Sequence, residues 1–221
     1  MRIFDQYEGK MIEVELSSKK QISGKLIECG SDILVVFTGQ YYTYLPQRHI
    51  HVIKRCKENE YEIIQSEPSP IKQTNDGLTL MAVLNNAKGI FVEVDISGIG
   101  AVFGYITNVM SDYFVFYSPA LDQLFIPIHH LKSITPYLNK TPYDLPLTSM
   151  IFPVNQSLAD SFTNQVKQLQ GEMVQFDGGR NAYKMGVLKN VENDLAELII
   201  GNGQNLYLNI SHIKSVQKAI G

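Results

Sequence analysis

The chain has 221 residues, 44% hydrophobic and 19% charged, with a formal net charge of −3. That composition excludes a disordered chain, and the charge argues against a general nucleic-acid binder, which carries a basic stripe. No apolar run reaches the roughly 18 residues of a membrane span. No basic-then-apolar leader opens the chain, because Asp5 and Glu8 interrupt it, so synthesis in the cytoplasm is the expectation.

In chain order, Ile3, Phe4 and Tyr7 lie on one side of a helical turn. From Gly9 the period becomes two: Ile12, Val14 and Leu16 alternate with Glu13 and Glu15, the pattern of a half-buried strand. Residues 17–20 form a polar hairpin turn, and a second strand runs through Gly24. Glycine inside a strand marks a bulge or sharp bend. Asp32 sits in the next turn, where its carboxylate can hold nearby backbone N–H groups. An apolar third strand (33–37) and a fourth strand carrying Tyr44 follow. Pro46 breaks the fourth strand or places it at an edge, because proline cannot donate to a ladder. A short last strand begins after His49.

The same order returns twice. Gly9 to Gly24, Gly89 to Gly104 and Gly171 to Gly186 are each 15 positions apart, and Gly24 to Asp32, Gly104 to Asp112 and Gly186 to Asp194 are each 8. From the aspartate to His49, His130 and His212 the distance is 17, 18 and 18. Fixed spacing of this kind is the mark of an internal repeat. The domains expected are 1–57, 76–135 and 155–221, joined by linkers at 58–75 and 136–154, the second rich in proline. Leu80, Met81, Leu84 and Ala87 have helical spacing in 76–88. Ser157 is positioned to cap a second helix, with Asp160 at its third residue and a stripe of Leu158, Phe162, Val166 and Leu169.

A helix followed by five bent antiparallel strands, with a glycine in the second, resembles the Sm-like fold of the LSm and Hfq proteins. Gly24, Gly104 and Gly186 match that family's strand-two glycine. Asp32, Asp112 and Asp194 lie near its turn aspartate. The phrases at 24–35 and 44–50 are similar to a spore-coat-associated Sm-like family of spore-forming bacilli. The fold class implied is all-β with short N-terminal helices: three tandem five-stranded, strongly bent open barrels. The resemblance implies a structural or assembly role, with spore-coat components as partners and deposition on the spore coat. It implies no enzymatic site.

RNA binding is the alternative that the resemblance raises. Sm-type pockets place an asparagine after the turn aspartate, and none follows Asp32, Asp112 or Asp194. Arg48, Tyr44, Lys54 and Arg55 of the first repeat are the candidate contacts. The five histidines show no recurring cysteine or acidic partner at ligand spacing, so neither metal nor cofactor is expected. The repeated histidine is read as a structural hydrogen-bonding group of its own repeat. Nucleophile and nucleotide-binding signatures are missing, so no enzyme is expected. Cys29 and Cys56, both in the first repeat, are read as reduced thiols, with a bridge between them as the alternative. Open strand edges are the expected working surface. The three repeats then lie edge to edge as half a ring that two chains close into a pseudo-hexamer.

Overall fold

The computed structural model describes residues 3–56, 70–71, 77–138, 140–146, 157–179 and 181–219. Fifteen strands form one large open antiparallel sheet. The first segment contains β1 (Met11–Leu16), β2 (Gln21–Cys29), β3 (Ile33–Phe37), β4 (Tyr42–Pro46) and β5 (Ile50–Arg55). After helix α1 (Leu80–Asn86) come β6 (Phe91–Ile96), β7 (Gly100–Val109), β8 (Tyr113–Ser118), β9 (Asp122–Pro127) and β10 (Leu131–Pro136). After helix α2 (Phe162–Lys167) come β11 (Met173–Phe176), β12 (Met185–Glu192), β13 (Leu195–Ile200), β14 (Asn205–Asn209) and β15 (Val216–Lys218). The spatial order is β14-β13-β12-β11-β15-β9-β8-β7-β6-β10-β4-β3-β2-β1-β5.

One register recurs in the three segments. Gly24 faces Ile12, Gly104 faces Val92 and Gly186 faces Val174. The alternation in β1 puts Ile12, Val14 and Leu16 fully inside, and Val92, Val94 and Ile96 are buried in the same way in β6. The glycines themselves are not the bulges. The register slips between Leu26 and Glu28, between Ile106 and Asn108, and between Leu188 and Asn190. The extra residue at each slip bends the strand. Each glycine instead admits a backbone: a Cβ there would overlap the carbonyl oxygen of Phe37, Tyr117 or Ile199 on the next strand.

The core is shared along the sheet. Ile12, Val14, Leu16, Leu34, Val36 and Leu45 cluster within the first segment. The opposite faces of β3 and β4 send Ile33, Val35, Tyr42 and Tyr44 into a cluster with Leu80, Val83 and Leu84 of α1 and with the second segment. Tyr113, Val115 and Phe125 do the same for the third, against Phe162 and Val166 of α2. Burial on both faces is why β3 and β8 read as continuous apolar runs. In β13 burial alternates instead, because its other face is uncovered.

Several expectations shift at the joints. Most of 58–75 and 147–156 lies outside the described residues, but Ile71 is buried and its N–H donates to the Tyr44 hydroxyl at 3.2 Å. Pro136 is still strand, facing Val92, and Tyr137 stacks on Phe91 at 5.2 Å, so the second segment extends past 135. The expected four-residue turn after β11 is longer, with two short 3-10 turns before Met185. Thr79 caps α1 by accepting from Ala82 N. Ser161, not Ser157, caps α2 by accepting from Asn164 N, because the helix starts four residues later than its apolar stripe suggests. Val83 is a core residue of α1, while Met81 is exposed. Pro46 and Pro127 end their strands, yet β4 and β9 are inside the sheet. The strands continue across the joint only through Tyr44 and Phe125, ahead of each proline, so the missing N–H costs no ladder bond. Cys29 and Cys56 are buried and not joined by a disulfide. Among the described residues no helix is long and apolar enough to cross a membrane.

Candidate functional site

The two joints between segments reuse the strand pairing and the contact of the repeated aspartate, and the repeated histidine His49 adds a bond at the first. Both side chains were expected to act within their own segment; both reach the next one. At the first joint β4 meets β10, with Tyr44 facing Ile134. Asp32 Oδ1 accepts from Leu80 N, the first residue of α1, at 2.8 Å. A carboxylate there is favoured because the first turn of a helix has unpaired N–H groups. His49 Nε2 lies 2.8 Å from the carbonyl oxygen of His129, whose lone pair makes the imidazole the donor. Thr43 and Thr135 hydroxyls meet at 3.1 Å inside the joint, and Lys20 reaches Asp95 at 2.9 Å.

At the second joint β9 meets β15, with Phe125 facing Val216. Asp112 Oδ1 accepts from Phe162 N at 2.8 Å. Tyr113 Oη lies 2.7 Å from Ala159 O and 2.9 Å from Gln165 Oε1 and shares one proton between them. Burial pushes that phenol up to about 12. Ser111 donates to Ala-flanking Asp160 O, which holds the start of the helix against the turn. His129 Nε2 is 3.4 Å from Ser211 O, a weak contact. Its ring centroid is 4.0 Å from that of His130.

Burial lowers the proton affinity of two of these histidines. Burial pushes His49 below its usual value. Burial, then the neighbouring His129, pushes His130 down to about 4, and its Nε2 is buried with no hydrogen-bond partner among the described residues. A histidine with a lowered folded value binds fewer protons than the unfolded chain between the two values. Its contribution is therefore complete above the ordinary value near 6.5 and is lost as pH falls toward 4. Solvent reaches the half-buried ring, so the expected loss is about 1–2 kcal/mol. Urea unfolding at a series of pH values between 7 and 4 checks this; a His130→Gln variant should show a flatter dependence than the parent.

At the ends of the sheet the same positions are uncovered. Asp194 and His212 are exposed. Tyr207, at the place of Tyr44 and Phe125, is 58% exposed, and Leu195 and Ile199 beside it are also exposed. Glu197 stands where Val35 and Val115 are buried, and it accepts from Lys189, Asn205 and Tyr207. At the other end, β5 is half-buried to exposed along its length, whereas β10 and most of β15 are buried.

The candidate RNA contacts do not form a stacking site. Tyr44 is fully buried in the joint, and its hydroxyl accepts from Ile71 N. Lys54 pairs with Glu13 at 2.8 Å. Arg48 and Arg55 are exposed. One cluster was not legible in the sequence: Asp5, Glu8 and Cys29 bring potential ligand atoms within 4.8 Å of one another. Glu8 Oε1 already accepts from Cys29 N there.

Comparison with known proteins gives three matches. Residues 161–216 match the family described as YwrJ third domain. Spore coat protein B of Bacillus subtilis (strain 168) is 28% identical over 145 residues, covering 66% of this chain and 36% of that protein. Uncharacterized protein YwrJ of the same strain is 36% identical over 223 residues, covering 98% of this chain and 99% of that protein. On that full-length match, the chain belongs to the YwrJ family.

Proposed function

We propose that the chain is a non-catalytic structural protein, associated with the spore coat, that assembles through its strand edges. The observation that carries this reading is the reuse of one joint. Its internal copies bury the edges of β4, β9, β10 and β15, while the matching edges of β14 and β5 are left at the ends of the sheet. The similarity to a spore coat protein supports the location. The recurring register and the glycine contacts support reading each segment as an Sm-like unit.

In this reading an end of the sheet takes up a strand of another protein, which requires no reactive group on the chain. Another copy fits head to tail: carrying over the internal register sets Tyr207 opposite Ile53 and brings His212 toward the Arg48 carbonyl. Two chains joined at both ends close a ring of six segments. A head-to-tail contact closes only if its rotation allows it and otherwise extends. Glu197 keeps the terminal face more polar than the internal ones, so end-to-end contact is weaker than the joints.

Glu197→Val restores the residue type of the internal joints, and we expect it to tighten self-association by about tenfold. Sedimentation at tens of micromolar measures this; a variant that stays monomeric there overturns the homotypic contact. A fluorescent fusion in sporulating cells tests the location, and diffuse signal at the end of sporulation overturns it. Binding of oligo-uridine that falls steeply with salt and is lost in Arg48→Ala would transfer the reading to RNA recognition.

A further inference from the structure

The short turn before β1 stands where α1 and α2 stand before β6 and β11. Gly9 N donates to Leu26 O at 2.8 Å, Gly89 N to Ile106 O at 3.1 Å and Gly171 N to Leu188 O at 2.8 Å. A second bond recurs beside it: Lys10 N to Tyr7 O at 2.9 Å, Ile90 N to Ala87 O at 3.1 Å and Glu172 N to Leu169 O at 3.1 Å. With these glycines in register, Phe4 and Tyr7 match Leu84 and Ala87 of the second segment and Val166 and Leu169 of the third. Each pair packs into a hydrophobic cluster of its own segment. Ile3 matches Val83 and Gln165, six residues before the glycine in each case. Val83 and Gln165 are each 1% exposed, whereas Ile3 is 79% exposed.

The preceding segment covers the two buried residues, with the side chain that follows its repeated aspartate. Val83 shares a core cluster with Ile33, the neighbour of Asp32. Gln165 Oε1 lies 2.9 Å from Tyr113 Oη, and Tyr113 is the neighbour of Asp112. The pairs match in kind: apolar with apolar at the first joint, amide with hydroxyl at the second. Leu195 follows Asp194 and is 40% exposed. The two positions left over, Ile3 and Leu195, lie at opposite ends of the row of segments, and both are apolar.

We infer that the exposed face at Leu195 takes the turn before β1 of a second copy, with Ile3 seated on Leu195. The inference rests on the head-to-tail contact proposed above and adds to its strand edges the side-chain contact that selects the partner. A strand edge accepts many strands, because its main-chain hydrogen bonds are common to all of them, and side chains in pockets supply the discrimination. Ile3 is ordered before it binds: Gln6 Nε2 donates to the Ile3 carbonyl at 3.0 Å, and Tyr7 N donates to Phe4 O at 2.9 Å. Such ordering lowers the entropy lost on association. The two internal joints are the template, and a copy seated at the end of the sheet continues their row.

The test is the self-association constant of the full chain, measured by sedimentation in the parent and in Glu197→Val. Ile3→Lys and Leu195→Glu should each weaken association by about tenfold, the effect of withdrawing one aliphatic side chain from a contact. Combined in one chain they set an ammonium beside a carboxylate, and that chain should associate more tightly than either single variant; Ile3→Glu with Leu195→Glu should not. Leu195→Ala removes apolar surface without placing a charge on β13. It should weaken association several-fold and guards against a misfolded Leu195→Glu. Self-association that neither Ile3→Lys nor Leu195→Ala weakens overturns the seat of Ile3 and leaves the strand contact standing. A chain that stays monomeric in both backgrounds overturns the head-to-tail contact and this inference with it.

Discussion

Replacing Gly104 by alanine is expected to destabilise the protein by about 3 kcal/mol or more. The added methyl group would overlap the Tyr117 carbonyl oxygen and come within 2.9 Å of Phe116 Cε1. The carbonyl belongs to the adjacent strand, paired with β7 through Tyr105 and Tyr117, so it cannot move without breaking the ladder. Phe116 is fully buried and has no free volume to turn into. The alternative response is to widen the gap between β7 and β8, which pulls β8 off the core it shares with β9. Gly24 and Gly186 face the same obstacle from Phe37 and Ile199, and alanine at either should be costly in the same way. Urea unfolding measures the change. A loss within about 0.5 kcal/mol, ordinary for a surface substitution, would mean that the strands are not this close.

Replacing Phe125 by alanine should cost about 3–5 kcal/mol. The ring is 1% exposed and stands 6.2 Å from that of Tyr113, inside the cluster that joins the second and third segments. Truncation removes a large apolar surface from the one place where β9 faces β15. The remaining contacts at that joint, Asp112 to Phe162 N and the Tyr113 hydroxyl to the start of the helix, depend on the same packing. The third segment should then become a target for limited proteolysis before global unfolding. Tyr207→Ala is the matched control. It changes the corresponding residue of the third segment, which is 58% exposed, so the free chain should lose less than about 1 kcal/mol. Equal losses at both positions would show that Tyr207 is covered in solution, and that the end of the sheet already has a partner.

The two substitutions differ in how far they could have been foreseen. Gly104 announces itself by recurrence at a fixed distance from a second glycine and an aspartate, although its reason, a neighbouring carbonyl rather than a bulge, does not. Tyr44, Phe125 and Tyr207 look alike in sequence, and Tyr44 was accordingly a candidate for stacking on RNA. Its hydroxyl is instead buried against Ile71 N. Asp32 and Asp112 read as turn residues because a turn surrounds them, yet each carboxylate spans 48 or 50 positions to the first turn of the next helix. Ser157 looked like a cap because a polar residue precedes an apolar stripe, but Ser161 satisfies the same rule four residues later.

What the sequence determined by itself is periodic and local. Alternation chose the inward face of β1 and β6, since successive side chains of a strand point to opposite sides. Glycine spacing placed the second strand of each segment, and Thr79 supplied the start of α1 from its own side-chain oxygen. Only the tertiary structure decided which partner each repeated residue has. Identical positions meet different surroundings when segments are joined in a row: Asp32 and Asp112 have a helix in front of them, while Asp194 faces solvent. The same asymmetry gives Asp177 two lysines of its own segment, Lys184 and Lys214, whereas Asp95 takes Lys20 from another segment. Attraction between charges depends on their separation in space, and a separation of 75 positions along the chain carries no information about the 2.9 Å that decides it.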